Sequence, residues 1–282
     1  MSEPKDPAAP LADWLRARYG DAIAAVPEAA DTETLRSIAR HRTMRHFTDT
    51  PVELDLLRTL AAVAISAPSK SDLQQADIVI VQDGGQRAAL AALLPDNPWA
   101  KSAPAFLVFC GNNRRQRRLH ELRGHGFVND HLDAFFNPAV EAGIVLGTFI
   151  AAAESVGLGT CPISAIRNLP EEVAKVLSLP GHVFPVAGLC VGWPSGFTAL
   201  TPRLPLSATV HVDRHDDAAL DADLAEYDAR RDRDKAVRAR RRDDLFGADA
   251  PYTWSEDKAR QYAQPERTGW GAFVRRIGFR LD

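Results

Sequence analysis

Residues 138–156, PAVEAGIVLGTFIAAAESV, run directly into Gly157-Leu158-Gly159-Thr160-Cys161-Pro162, and this join decides the fold. The first part is apolar around most of a helical circumference, which predicts a long helix in the centre of a domain. Gly157 and Gly159 stand where a left-handed helix cap is expected. The hexad begins like GxGxxG but has proline at its sixth position, and no helix opens there. It is therefore not a dinucleotide fingerprint. Working outward, Ile78–Val81, Phe106–Phe109 and Phe184–Val191 are apolar runs bounded by polar or turn residues and read as strands. Helices are predicted over Thr34–Arg40, Arg87–Leu94 and Glu171–Leu177. Thr50-Pro51-Val52-Glu53 reads as a further helix start, with a threonine cap, proline at the first helical position and glutamate three residues on. Leu54, Leu57, Leu60, Ala61 and Ala64 recur behind it at helical spacing, and Pro68 stops it. Helices and strands mix without strict alternation, so the class is α+β rather than a doubly wound sheet.

The 282 residues are enough for one large core or two smaller ones. Residues 1–30, rich in Ala, Pro and Asp with a helical patch over Leu11–Ile23, read as an N-terminal arm. The main domain is expected over 31–216. From 217 to 282 a charged helix, Ala218–Arg242, leads into a tail with scattered aromatics. That tail cannot make its own core and is expected to wrap over the main domain or a second subunit. A formal net charge of −3 gives no reason to expect nucleic acid. The start, Met-Ser-Glu-Pro-Lys-Asp, is polar and acidic, unlike a signal peptide. The longest apolar stretch, Ala142–Ala153, is bracketed by Glu141 and Glu154 and is too short to cross a bilayer. Cys110, Cys161 and Cys190 form neither a disulfide framework nor a CxxC, which suits a reducing cytoplasm.

Two segments gather polar chemistry beside apolar structure. In His41-Arg42-Thr43-Met44-Arg45-His46-Phe47, two guanidiniums three residues apart beside a hydroxyl suit a phosphate or a polyhydroxyl chain. A basic helix end is the other reading. In Ala67-Pro68-Ser69-Lys70-Ser71-Asp72-Leu73-Gln74, hydroxyls, a lysine and an amide follow a helix-stopping proline. Gln74 has both donor and acceptor for a ring edge, although an ordinary loop has the same composition. Pro162-Ile163-Ser164-Ala165-Ile166-Arg167 offers small side chains against which a planar ring can lie, or is simply a tight helix-to-helix connection. Arg203, between Pro202 and Pro205, is either a fixed phosphate ligand or a surface arginine.

Other patterns carry less. His120-Glu121-Leu122-Arg123-Gly124-His125 misses HExxH by one residue, so its histidines leave a common helical face. His120, His125, His131, Asp130 and Asp133 lack the fixed spacing of a closed metal site, and no metal is expected. There is no GxSxG and no activated cysteine. Arg230–Arg242 is interleaved with aspartates and reads as a solvated helix face rather than a nucleic-acid patch.

Taken in order, HRTMRHF, APSKSDLQ, IAAAESVGLG, ISAIRNLPEEVAKVLSLPGHVFPVAGLCVGWP and TPRLP resemble the flavin-dependent nitroreductase family, in particular its NADPH nitroreductase and flavin reductase subgroup. They cover most of residues 38–206, and a weaker likeness continues through AEYDARR and YTWSEDKAR. The resemblance implies an α+β nitroreductase-like fold with a central, mainly antiparallel sheet flanked by helices. It implies an intertwined homodimer with FMN at each subunit interface. It also implies ping-pong hydride transfer from NADPH or NADH, through the flavin, to nitroaromatics, quinones or free flavins. No side chain then needs to be a catalytic acid or base, because the flavin carries the redox chemistry.

Residue by residue, His41, Arg42, Thr43 and Arg45 match the family's first flavin-contacting motif, with Arg45 toward the ribityl phosphate. Ser69, Lys70 and Ser71 match the second, contributed by the partner subunit. Ile163, Ser164 and Ala165 match the stretch along the isoalloxazine N5 and O4, and Arg203 matches a second phosphate-side arginine. Asn97 aligns near a glutamine that touches the flavin pyrimidine. Asp72 replaces an aromatic of the substrate pocket and is expected to repel anionic acceptors. Thr201 stands where the subgroup commonly has lysine, with Lys70 as a compensating charge. The loop between Arg242 and Trp254 differs from the one that binds the NADPH 2′-phosphate, which leaves the nucleotide preference open. These departures keep an alternative in view: a flavin-storage or flavin-sensing protein of the same fold with little turnover.

Overall fold

The computed structural model describes residues 3–20, 26–196, 198–233, 239–248 and 251–282. Among them the chain forms, in order, helices α1 (Leu11–Tyr19), α2 (Glu33–Ala39) and α3 (Leu54–Ile65), strand β1 (Ala76–Ile80), α4 (Gly84–Ala92), α5 (Trp99–Ser102) and β2 (Ala105–Asn112). There follow α6 (Arg114–Arg123), α7 (Leu132–Ser155), β3 (Gly159–Ile163), α8 (Pro170–Val176) and β4 (Val183–Gly192). The C-terminal part adds α9 (Leu220–Arg233), α10 (Asp243–Phe246), α11 (Trp254–Gln261) and α12 (Trp270–Arg276). The chain divides into two compact units, residues 1–41 with 199–266, and residues 42–198 with 267–282.

The second unit holds the sheet. Its order is β1-β2-β4-β3 and every pairing is antiparallel, as the α+β reading expects. All of β2 is buried, because helices cover both faces and the pleat sends alternate residues to each. Ala105, Leu107 and Phe109 join a core with α3 and α7, whereas Phe106, Val108 and Cys110 join one with α4, α5 and α8. β4 divides in the same way, Leu189 and Val191 to one side and Cys190 to the other. The β2–β4 register slips between Phe109 and Cys110, and Pro185 is accommodated there.

The central helix is longer than the sequence suggests. It starts at Leu132, so Pro138 lies inside it. By length and composition alone it could cross a membrane. Its Ala142, Val145, Phe149 and Ala153 are instead buried against the sheet and α3. It is not buried all round: Leu132, Phe136, Val140 and Ile144, spaced four apart, remain exposed. Gly157 closes the helix with φ +86°, the left-handed conformation expected there.

Two expectations are overturned locally. Thr50 does not cap α3, which starts at Leu54 behind Glu53. Residues 51–53 form no helix, and Val52 among them is buried in the core, so its burial wins over the capping-box pattern. Pro162 and Ile163, in the 162–167 stretch for which a tight helix-to-helix connection is one reading, belong to strand β3, Gly159–Ile163. Pro162 fits because β3 is an edge strand. The aromatic tail does find a core: Phe273, Val274 and Phe279 pack with Phe184 and Ala134 in the second unit.

In the first unit α1 packs against α2, with Leu11 and Trp14 buried. Arg230, expected on a solvated face, is only 8% exposed. Its guanidinium donates to the carbonyls of Arg203 and Arg18, which accounts for the burial of a charge. Residues 234–238 of that basic run lie outside the described residues.

The strip 42–48 lies along the ends of β3 and β4. Met44 N–H donates to the Thr160 carbonyl at 2.8 Å and Thr48 N–H to the Trp193 carbonyl at 2.8 Å. A Cβ at Gly159 would sit 2.7 Å from Met44 Cγ and 2.9 Å from Met44 Cβ. Gly159→Ala is therefore predicted to cost about 1–3 kcal/mol, the usual penalty for overpacking, read as a lower urea midpoint with unchanged slope.

Candidate functional site

Helix α2 ends at Ala39 with Arg40 as its cap residue, and Arg42 and Arg45 lie beyond it. They are not a basic helix end. Thr43 forms a parallel bridge to Thr160, and Phe47 an antiparallel bridge to Pro194. Buried Met44 anchors the strip, while Arg45 is exposed beside it. The Arg45 guanidinium stands 5.2 Å from the centroid of the Trp99 ring. Among the described residues, no protein acceptor is seen hydrogen-bonding its N–H groups. A guanidinium over an aromatic ring, with its N–H groups on no protein acceptor, keeps those donors for an anion, and phosphate is the anion that such forks match best. Its charge is also felt by the Cys161 thiol, whose pKa burial pushes up and Arg45 pulls back.

The loop 69–75 is built by one buried carboxylate. Glu141 of α7, 5% exposed, accepts from Ser69 Oγ at 3.2 Å through one oxygen and from the Gln75 N–H through the other. Ser69 Oγ also accepts from the Gln74 N–H at 2.7 Å. This cross-linking holds Ser71, Asp72 and Gln74 at φ 53°, 56° and 50°. Three non-glycine residues in the left-handed region within four positions is a strained backbone, and strain of this kind gathers at ligand-binding segments. Lys70 Nζ pairs with Asp133 Oδ2 at 3.2 Å on the surface. Hydrogen bonds from Asn137 and Lys70 hold the Asp133 carboxyl below the ordinary carboxylate range. Asp72 is exposed and accepts from the Gln74 side-chain amide at 3.2 Å.

Ile163 ends β3 and is buried; Ser164 and Ala165 open a single 3₁₀ turn, with Ser164 exposed. Arg267 reaches this turn from the C-terminal segment, donating to Asn168 Oδ1 at 2.9 Å and Ser164 Oγ at 3.3 Å. Arg167, beneath, donates to the carbonyl of Val186 at the bulge in β4. Burial, then the charge of Arg267, lowers its pKa. Asn97 is half-buried just before α5, two residues from Trp99.

His41 and Arg203 belong to the first unit. Both line a cavity of about 350 Å³ with Arg18 and Tyr19. Arg203 is exposed, and its Nη1 is 3.2 Å from the Thr201 carbonyl. Its backbone is held firmly: Arg203 N–H donates to the Arg18 carbonyl at 2.7 Å, and Tyr227 Oη donates to the Pro202 carbonyl at 2.9 Å. The metal candidates do not converge. Asp130 pairs with Arg117, Asp133 with Lys70, and His120 packs edge-on to Phe127.

Glu141, Arg18, Trp99 and Arg267 are missed by sequence motifs. A single glutamate inside an otherwise apolar helix is itself a signal, because such residues are almost never buried without a partner. Glu141→Ala is predicted to lower stability by about 2–3 kcal/mol, since it leaves Ser69 Oγ and the buried Gln75 N–H without their acceptor. Urea denaturation measures this. Faster proteolysis within 69–75 than elsewhere checks that the loss is local.

Comparison with known proteins agrees with this layout. The sequence pattern of the "Nitroreductase family" matches residues 38–193, and that of the "Nitroreductase family, C-terminal domain" matches 201–282. The chain is 40% identical over 187 residues to "FMN reductase [NAD(P)H]" of Bacillus subtilis, covering 65% of this chain and 74% of that protein. It is 30% identical over 257 residues to "FMN reductase (NADPH)" of the same organism, covering 87% and 98%. The solved structure of B. megaterium NfrA2 superposes with a TM-score of 0.80 at 34% identity, covering 89% of this chain and 99% of that one. Family patterns that span both halves of the sheet-bearing core and the C-terminal segment, relatives at this identity, and the antiparallel sheet with its 42–48 strip place this chain in the nitroreductase family.

Proposed function

We propose that the protein is an FMN-dependent NAD(P)H oxidoreductase that reduces nitroaromatics, quinones or free flavins. The observation that carries this reading is Arg45: a guanidinium over the Trp99 ring, with its N–H groups hydrogen-bonded to no protein acceptor among the described residues. The donor chemistry fits a flavin mononucleotide. In the second unit Arg42, Thr43 and Arg45 supply cationic and hydroxyl donors of the kind a phosphate monoester needs, and in the first unit His41 and Arg203 carry donors of the same chemistry. The names of the relatives support the same nucleotide and the same flavin.

When bound, FMN supplies the two-electron chemistry, accepting hydride from the nicotinamide and passing it to the second substrate. The chain's own work is positional. Arg45 and Arg42 would hold the phosphate, with Thr43 as an additional donor, and Arg203 of the first unit offers a guanidinium of the same chemistry. Ile163, Ser164 and Ala165 would border the ring, with Ala165 small enough to leave room beside the backbone. Asn97 would meet the pyrimidine edge. Ser69, Lys70 and Ser71 would close the site from a second subunit, and Asp72 would repel anionic acceptors at the substrate side. No residue is assigned a catalytic acid or base role.

The homodimer is part of this proposal. Leu132, Phe136, Val140 and Ile144 leave an apolar stripe along α7, and such a stripe suits burial by a second copy. A cytoplasmic setting goes with the three free, buried cysteines.

Purified protein is predicted to be yellow, with about one FMN per chain, and its flavin to be bleached anaerobically by NADPH or NADH; a colourless protein that takes up no added FMN contradicts the reading. Arg45→Ala is predicted to weaken FMN binding roughly tenfold or more, the scale of a lost charge-assisted hydrogen bond. Unchanged affinity removes Arg45 from the site. Phe136→Glu is predicted to shift the sedimentation profile from dimer toward monomer and to lower FMN occupancy with it.

A further inference from the structure

Arg18 is a charged side chain on α1, yet it is only 5% exposed. Its Nε donates to the Ala39 carbonyl at 2.9 Å and its Nη1 to the Thr201 carbonyl at 2.7 Å. Its Nη2 donates to the His41 carbonyl. The Arg18 carbonyl in turn accepts from Arg203 N–H at 2.7 Å and from Arg230 Nη1 at 3.3 Å. Arg230 Nη2 completes the ring by donating to the Arg203 carbonyl at 2.6 Å. One residue thus fastens two segments far apart in sequence, the one ending at His41 and the one running from Thr201 to Arg203. Both segments carry candidate phosphate ligands, and both face one cavity with Arg18.

The chemistry calls for arginine here. A guanidinium is a planar fork whose donors point in several fixed directions, so a single group can meet three carbonyls at once. A lysine ammonium is a point charge on a flexible stem and cannot hold three carbonyls in one plane. Removing the buried group takes the side-chain donor from the Ala39 and His41 carbonyls and one of two donors from the Thr201 carbonyl, and the two segments lose their common anchor. α1 precedes residue 38, where the matched family pattern begins, so this clamp belongs to a segment that the pattern does not describe.

We infer that Arg18 is a positioning residue for flavin binding: it sets His41 and Arg203 at the spacing that a phosphate needs, and thereby selects FMN over unphosphorylated riboflavin. The inference rests on the proposed FMN function. It also gives a role to the N-terminal segment beyond that of an appendage.

The test compares the wild-type protein with Arg18→Met and Arg18→Lys. Dissociation constants for FMN and for riboflavin are measured by flavin fluorescence quenching, alongside urea denaturation of each variant. The Met variant keeps much of the apolar stem, and the Lys variant keeps the charge. The expected result is a loss of FMN affinity of roughly tenfold or more in both, with riboflavin affinity changed by less than about twofold, so that the preference for FMN collapses. FMN and riboflavin weakening equally in a folded variant, or an unchanged preference for FMN, overturns the positioning role and leaves Arg18 as packing alone. If the Met variant does not fold, the Lys variant decides by the same ratio. Wild-type protein that binds neither flavin overturns the proposed function itself. Wild-type protein that prefers FMN while a folded variant keeps that preference overturns only the inference about Arg18.

Discussion

The structure depends on a strip of seven residues laid across two strand ends. Met44 lies over Gly159, and Phe47 lies against Gly192, where a Cβ would stand 2.9 Å from the Phe47 ring. Neither strand position can carry a side chain without displacing the strip. Backbone hydrogen bonds to Thr160 and Trp193 then fix its height along the sheet. The candidate phosphate arginines of the second unit, Arg42 and Arg45, hang from this strip. The Arg45 guanidinium also lies over the Trp99 ring at the start of α5, its Cζ 5.2 Å from the ring centroid. The donor geometry is therefore a property of the sheet and its covering helix, not of a free loop. That is how a site attains the precision that ligand recognition requires.

Buried charges do the remaining positioning. Glu141 ties the 69–75 loop to α7, and that tether sustains three left-handed residues that would otherwise relax. In the first unit Arg18 and Arg230 hold carbonyls around Thr201 and Arg203. A buried ion with satisfied partners contributes more to a unique geometry than to net stability, and breaking one side of it is expensive. Charges of this kind are suited to parts of a site that must hold shape before a ligand arrives. A network aimed at backbone carbonyls also leaves side chains such as His41 and Arg203 to face the cavity.

Much of this was legible in the sequence, for identifiable reasons. β1, β2 and β4 were readable because helices cover both faces of the sheet, which makes each strand a continuous apolar run. The helical centre was readable from the apolar circumference of 138–156, but that reading began at Pro138, and the true start at Leu132 was not. β3 was hidden because glycine and proline are poor strand formers, and they are tolerated there only by the overlying Met44 and the open sheet edge. Thr50 looked like a cap until the burial of Val52 decided otherwise. At the site, the arginines and the 69–72 loop stood out by composition. Glu141 and Arg18 did not, because their partners, backbone groups and the Ser69 hydroxyl, are distant in sequence, and such pairs leave no local pattern. Arg230 was misread for the same reason: interleaved aspartates suggest a solvated helix, but the carbonyls that bury it come from residues 18 and 203.

The central claim is that the cationic strip of the second unit is a phosphate site. A crystal structure of the protein with FMN tests it most directly. The account predicts the FMN phosphate within hydrogen-bonding distance of the Arg45 guanidinium and of Arg42, with the ring alongside residues 163–165. A phosphate pointing into solvent, or a flavin bound elsewhere on the molecule, would contradict it.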